Sequence, residues 1–201
     1  MKVETSTVTK LVISDVPRLD PITVFLEDFG LRDCGHADDP NYKTGSGKIT
    51  INCWDKSWNA FWGGMGPRTV AQFVAGCGSD YVLNCLSRGL SSTHFTGNAL
   101  HDFAKRCIVE RRRGRNLHNW EQGSLDSEDA RSLWRRIDGL RDIETTNECW
   151  HRSDLLTELF GEEWHYPVGD NAVEENHDYT YLLRIVEAVQ QALAEPAAAA
   201  A

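Results

Sequence analysis

The chain has 201 residues, of which 41% are hydrophobic and 25% charged, and carries a formal net charge of −9. That length suits one domain or two small ones and is enough to bury a core without disulfide staples. The balance is that of a globular protein, and the absence of any apolar run near the ~20 residues of a membrane span excludes a spanning helix.

The N-terminus, MKVETSTVTK, lacks the hydrophobic segment of a secretory signal. The six cysteines are therefore expected as thiols, with Cys77, Cys85 and Cys107 acting as small buried hydrophobes. The charge is unevenly placed. Residues 1–90 are net −1, residues 91–141 net +3 and residues 142–201 net −11. An acidic surface discourages nonspecific nucleic-acid binding and favours basic partners.

In chain order, Val8 to Ile13 reads as a strand and Pro17 to Pro21 as a connection. Ile22 to Phe29 is a second strand. Gly30 to Gly47 is rich in Gly, Asp, Pro and Asn and reads as a loop. Ile49, Ile51 and Cys53 alternate with polar residues, the period of a half-buried strand. Asp55-Lys56-Ser57 then turns the chain, and Trp58 to Trp62 returns as the second arm of a hairpin. Trp54, Trp58, Trp62 and Phe73 are expected in the core. Pro67 is placed at the start of a helix carrying Val70, Phe73 and Val74. Ser79 is expected to cap a second helix with Val82, Leu83 and Leu86 inside, ended by Gly89.

The segments ITINCWDKSWNAFWGGMG and FVAGCGSDYVLNCLSRGLSS, with LDPITVFLEDFG before them, resemble a group of small accessory proteins of tailed bacteriophages and prophages. The likeness covers the first half of the chain. It implies a phage or prophage context and a place in the host bacterial cytoplasm. It implies no reaction.

Beyond the turn at residues 91–97, Asn98 is placed as the cap of a helix with Leu100, Phe103, Ala104, Cys107 and Ile108 along one face. That helix ends in a basic run, which its dipole favours. Asp126 is expected to cap the next helix, with Ala130, Leu133, Trp134 and Ile137 buried. Ser153 opens a short helix bearing Leu155, Leu156, Leu159 and Phe160. Glu162 to Glu175 reads as irregular and acidic. A last helix runs from Asp178 to Ala194 with Tyr179, Leu182, Val186, Val189 and Leu193 on one seam. Residues 196–201, five of them alanine, are set aside as a disordered tail.

No motif for nucleophilic catalysis or nucleotide binding occurs, so the chain reads as a non-enzyme without cofactor or metal. Two Cys-x-His pairs, Cys34/His36 and Cys149/His151, leave open a zinc-dependent enzyme or zinc-stabilised module.

The expected architecture is α+β: a small antiparallel sheet with two short helices over 1–90, and a helical region over 91–195 that packs on it or stands beside it. The expected function is protein–protein binding by a phage accessory protein, inhibiting a host defence system or host nuclease through an acidic surface. The contact residues would be Glu158, Glu162, Glu163, Asp170, Glu174, Glu175 and Asp178. The rival reading is nucleic-acid binding through Lys105, Arg106, Arg111, Arg112, Arg113, Arg115, Arg131, Arg135 and Arg136. The sequence leaves the oligomeric state open.

Overall fold

In the computed structural model the described residues are 1, 3, 5, 7–34, 42–115 and 123–195. Four strands run antiparallel in the order β1 (Thr9–Ile13), β2 (Ile22–Asp33), β3 (Lys43–Cys53) and β4 (Lys56–Trp62). The register aligns the inward residues: Val24 lies opposite Leu11 and Ile51, and Leu26 opposite Ile49, which faces Ala60. Because side chains alternate along a strand, this alignment puts one apolar face on one side.

That face is covered by α1 (Val70–Gly76), α2 (Ser79–Leu86) and α7 (His177–Ala194). The helix α7 sends Leu182, Ile185, Val186 and Val189 into the same core as Ile22, Ile49 and Ile51. Gln190 fastens it. Its Nε2 donates to the carbonyls of Val74 and Cys77 at 2.9 and 2.7 Å, and its Oε1 accepts from Ser79 Oγ at 2.7 Å. The first compact unit is therefore residues 1–90 together with 177–201, and 91–176 forms a second. The sequence reading had grouped the last helix with the helical half. Its apolar seam belongs instead to the sheet core, because α1 and α2 alone leave part of that face to cover.

The second unit is inserted between α2 and α7. Its ends are tied by a two-stranded ribbon of β5 (Thr93–Phe95) and β6 (Val173–Glu175), in which His94 faces Glu174. Between them lie α3 (Gly97–Arg112), α4 (Ser127–Arg136), α5 (Ser153–Phe160) and α6 (His165–Asn171), with two short 3₁₀ turns at Ile137–Leu140 and Glu148–Arg152. The core gathers Leu100, Phe103, Leu133, Leu156 and Phe160, with the rings of Phe103 and Phe160 stacked at 4.5 Å. Gly97 allows α3 to meet the first 3₁₀ turn. A Cβ there would sit 2.5 to 2.7 Å from the carbonyl oxygens of Leu140, Arg141 and Ile143.

The α+β class and the order of sheet and helices follow the sequence expectation. Several boundaries differ. The region assigned to a loop over 30–47 carries strand at both ends: β2 continues to Asp33 and β3 begins at Lys43, across a bulge between Asp28 and Leu31. Pro67 does not open α1. Thr69 does, through a capping box in which Thr69 Oγ1 accepts from Gln72 N and Gln72 Oε1 accepts from Thr69 N. Gly78, not Ser79, caps α2, Ser87 rather than Gly89 ends it, and Thr96, not Asn98, caps α3. Asp126 caps α4 as expected, accepting from the N–H groups of Glu128 and Asp129.

Two tryptophans leave the expected core. Trp54 is 79% exposed because the turn closes on Trp54-Asp55, whereas Trp62 is 6% exposed and packs on Phe73 at 5.5 Å. Trp134 points outward from α4, leaving Leu133 and Ile137 as its buried contacts. The segment from Glu162 to Glu175 is not irregular: it holds α6 and β6, anchored by buried Trp164 and Val168. The expected tail over 196–201 lies outside the described residues.

Candidate functional site

The second unit presents two chemically distinct surfaces. The first is aromatic and acidic. Trp150, in the second 3₁₀ turn, stands edge-on to buried Trp164 at 4.8 Å and stacks on His165 at 6.4 Å. His165 in turn contacts Tyr166 at 4.2 Å. Trp150 and Tyr166 are 59% and 64% exposed. Beside them is a cleft of about 110 Å³ lined by Thr146, Asn147, Trp150, Trp164, His165, Val168 and Gly169. Glu162 and Glu163 precede α6, and Tyr166 N donates to the Glu163 carbonyl at 3.1 Å. Asp170 lies one helical turn beyond Tyr166, on the same face of α6. All three acids are exposed.

The remaining acidic candidates are dispersed. Glu174 and Glu175 sit on β6, opposite His94 and Thr93. Glu158 forms an ion pair with Arg136 at 2.6 Å. Asp178 belongs to the first unit, where Lys56 Nζ donates to it at 2.9 Å; that bond holds its carboxyl below the ordinary range. Glu162, Glu163 and Asp170 are thus the exposed acids next in the chain to the aromatic residues of α6, whereas Glu158 and Asp178 have cationic partners of their own.

The second surface is basic. A cleft of about 450 Å³ opens between α3 and α4. From α3 come Ile108, Val109 and Arg112, with Arg113 at its C-cap; from α4 come Ser127, Ala130, Arg131 and Trp134. Among the nine basic candidates Arg111 stands apart. It is 8% exposed and donates to the carbonyls of Glu158 at 2.7 Å, Leu159 at 3.5 Å and Gly123 at 3.3 Å. It closes the core and presents no charge to a partner. Arg113 and Arg115 reach Glu110 at 3.5 and 3.8 Å. Lys105 pairs with Asp102 at 3.8 Å and lies 5.7 Å from the Trp134 ring centre. Arg106 lies over Phe103, Arg136 is held by Glu158, and Arg135 is exposed.

The cysteines of the two Cys-x-His pairs belong to different units. Cys149 is buried, and desolvation pushes its thiol up to about 11, while His151 is exposed. Cys34 is exposed in the first unit, and His36 lies outside the described residues. Among the described residues no cluster of three or more His, Cys, Asp or Glu is placed to hold a metal ion. All six cysteines are free thiols. Among the described residues no helix is long and apolar enough to cross a membrane.

Sequence reasoning missed the aromatic strip. Trp150, His165 and Tyr166 lie in two separate segments, and no sequence period joins them. Only the packing of the second 3₁₀ turn against α6 brings them together.

Fold and surface define a small α+β protein whose inserted helical unit displays charged and aromatic surfaces. A family model described as a phage family (Phage_phiTE_072) matches residues 1–195, and the chain belongs to that family. No curated protein and no solved structure matches the chain.

Proposed function

We propose that this phage protein acts by binding a protein partner with a basic surface in the host bacterial cytoplasm, and not by turnover of a substrate. The observation that carries the reading is the exposed strip of Trp150, His165 and Tyr166 beside Glu162, Glu163 and Asp170. Interface hot spots are rich in Trp and Tyr, which offer large rigid contact area at low entropic cost. Acids around such anchors steer a basic surface and speed encounter. An arginine or lysine from the partner would lie against the exposed indole and be held by the flanking carboxylates. Glu174 and Glu175 extend the acidic field along β6. A host nuclease or defence protein with a basic nucleic-acid groove has the matching chemistry.

The test captures partners from a host lysate on the full chain and then measures association of the recovered protein. Trp150→Ala should slow capture and shorten the complex lifetime. Reversing Glu162, Glu163, Glu174 and Glu175 to lysine should slow association and flatten its salt dependence. Retention of wild-type rates in both variants, with folding intact by circular dichroism, would sink the reading.

A further inference from the structure

We infer that the cleft between α3 and α4 is a nucleotide site, in which Arg112, Arg113 and Arg131 hold phosphate and Trp134 carries the base. The site is separate from the acidic aromatic strip and does not depend on the reading given to that strip.

Three observations converge. The cleft measures about 450 Å³, within the range of roughly 300–1,000 Å³ typical of small-ligand sites. Its lining combines the two chemistries a nucleotide requires. Three exposed guanidinium groups offer the planar donor forks that match phosphate oxygens. Trp134, 43% exposed with Lys105 Nζ 5.7 Å from its ring centre, supplies a π-surface that a base would share with that ammonium, and Ile108, Val109 and Ala130 supply an apolar wall. An indole left exposed on a helix whose buried face is already filled by Leu133 is not required by the fold.

The arginines are also available. Arg131 is exposed and has no ion pair or hydrogen bond among the described residues. Arg112 makes one long bond, to the Leu125 carbonyl at 3.5 Å, and keeps its other donors. Arg113 shares Glu110 with Arg115 at the long distances of 3.5 and 3.8 Å. The N-terminus of α4 cannot serve the anion, because Asp126 already accepts from Glu128 N and Asp129 N. Phosphate recognition therefore falls to the guanidinium groups, and an α4 dipole contact is not part of the proposal.

The ligand chemistry, a phosphate beside an aromatic base, occurs in a free nucleoside phosphate and in single-stranded nucleic acid. Calorimetric titration of the full chain separates the two. The probes are adenosine monophosphate, a short oligothymidylate and inorganic phosphate alone. At least one nucleotide probe should bind more tightly than inorganic phosphate. Binding of adenosine monophosphate identifies a free nucleotide as sufficient, and binding of the oligothymidylate alone identifies a strand. Arg131→Glu should weaken the bound probe by about tenfold or more, the effect of losing one charge-assisted hydrogen bond. Trp134→Ala should bring nucleotide affinity down toward that of inorganic phosphate. Arg135→Glu makes the same charge change on α4 outside the cleft lining and should leave affinity within about twofold at moderate salt. Arg112→Gln repeats the test on α3 should Arg131→Glu fail to fold. The proposal is overturned if no probe binds, if Arg135→Glu weakens binding as much as Arg131→Glu, or if Trp134→Ala leaves nucleotide and phosphate affinities unchanged.

Discussion

Arg111 Nη1 donates to the backbone carbonyl of Glu158 at 2.7 Å, so a residue from the basic run and one from the acidic candidates are joined in one structural bond. The bond ties the end of α3 to α5 beneath the surface. Arg111→Ala removes the guanidinium that the carbonyls of Glu158, Leu159 and Gly123 share and should cost about 1.5–3 kcal/mol of unfolding free energy. Its exposed neighbour in sequence, Arg112, should cost far less on the same change. Chemical denaturation of the two variants checks this, and equal effects would count against a structural role for Arg111.

Trp54 and Trp62 should behave oppositely. Trp54 takes a positive φ of 54° at the hairpin turn, a region that disfavours bulky side chains, and it is exposed. Trp54→Gly should leave thermal stability unchanged or raise it. Trp62→Ala opens a cavity against Phe73 and should cost about 3–5 kcal/mol.

Gly97 is a site of close backbone approach, not a flexible joint. Adding one methyl group there forces α3 away from the carbonyls of Leu140, Arg141 and Ile143. Gly97→Ala should lower the melting temperature of the second unit, and Gly139→Ala, with only the end of the Arg152 side chain nearby at 3.7 Å, should be milder. Hydrogen exchange of the amides in α3 reports the difference.

The thiols should react in order of exposure. Burial pushes Cys107 and Cys149 up to about 11, so both remain protonated and inert at mildly alkaline pH. Cys34 is exposed and should alkylate first. Mass mapping after brief iodoacetamide treatment reads the order, and early labelling of Cys149 would contradict its burial.

Asp126 makes stability depend on pH in one direction. The N–H groups of Asp129 and Glu128 hold its carboxyl below the ordinary range. A carboxylate with a depressed folded-state pKa contributes stability above its unfolded pKa and loses it as pH falls through the folded value. Asp126→Ala should therefore lower the melting temperature at neutral pH, with the gap to wild type closing in acid. Asp126→Asn should retain much of the cap at neutral pH and remove the part of the pH dependence that belongs to this carboxyl.

Much of the fold was legible because short-range pattern and burial coincide. Ile49, Ile51 and Cys53 alternate, and all three are buried. Leu100, Phe103, Ala104, Cys107 and Ile108 recur at helical spacing, and all five are buried. The capping box at Thr69 was equally present in the sequence, but Pro67 offered a competing start. Trp54 failed as a core residue because its place was decided by the turn and not by strand period.

The sequence by itself determined the α+β class, the sheet-then-helices order, the Asp126 cap and the charge asymmetry. Each depends on residues a few positions apart or on composition alone. The sequence did not show β5, α6 or β6. Tertiary structure decided which charges are spent. It buried Arg111 beneath α5, paired Glu158 with Arg136, and placed Asp178 in the first unit with α7. It also brought Trp150 to His165 and set Trp134 beside Arg112 and Arg131. Those groupings join residues that no local period relates, and the packing of one element on another creates them.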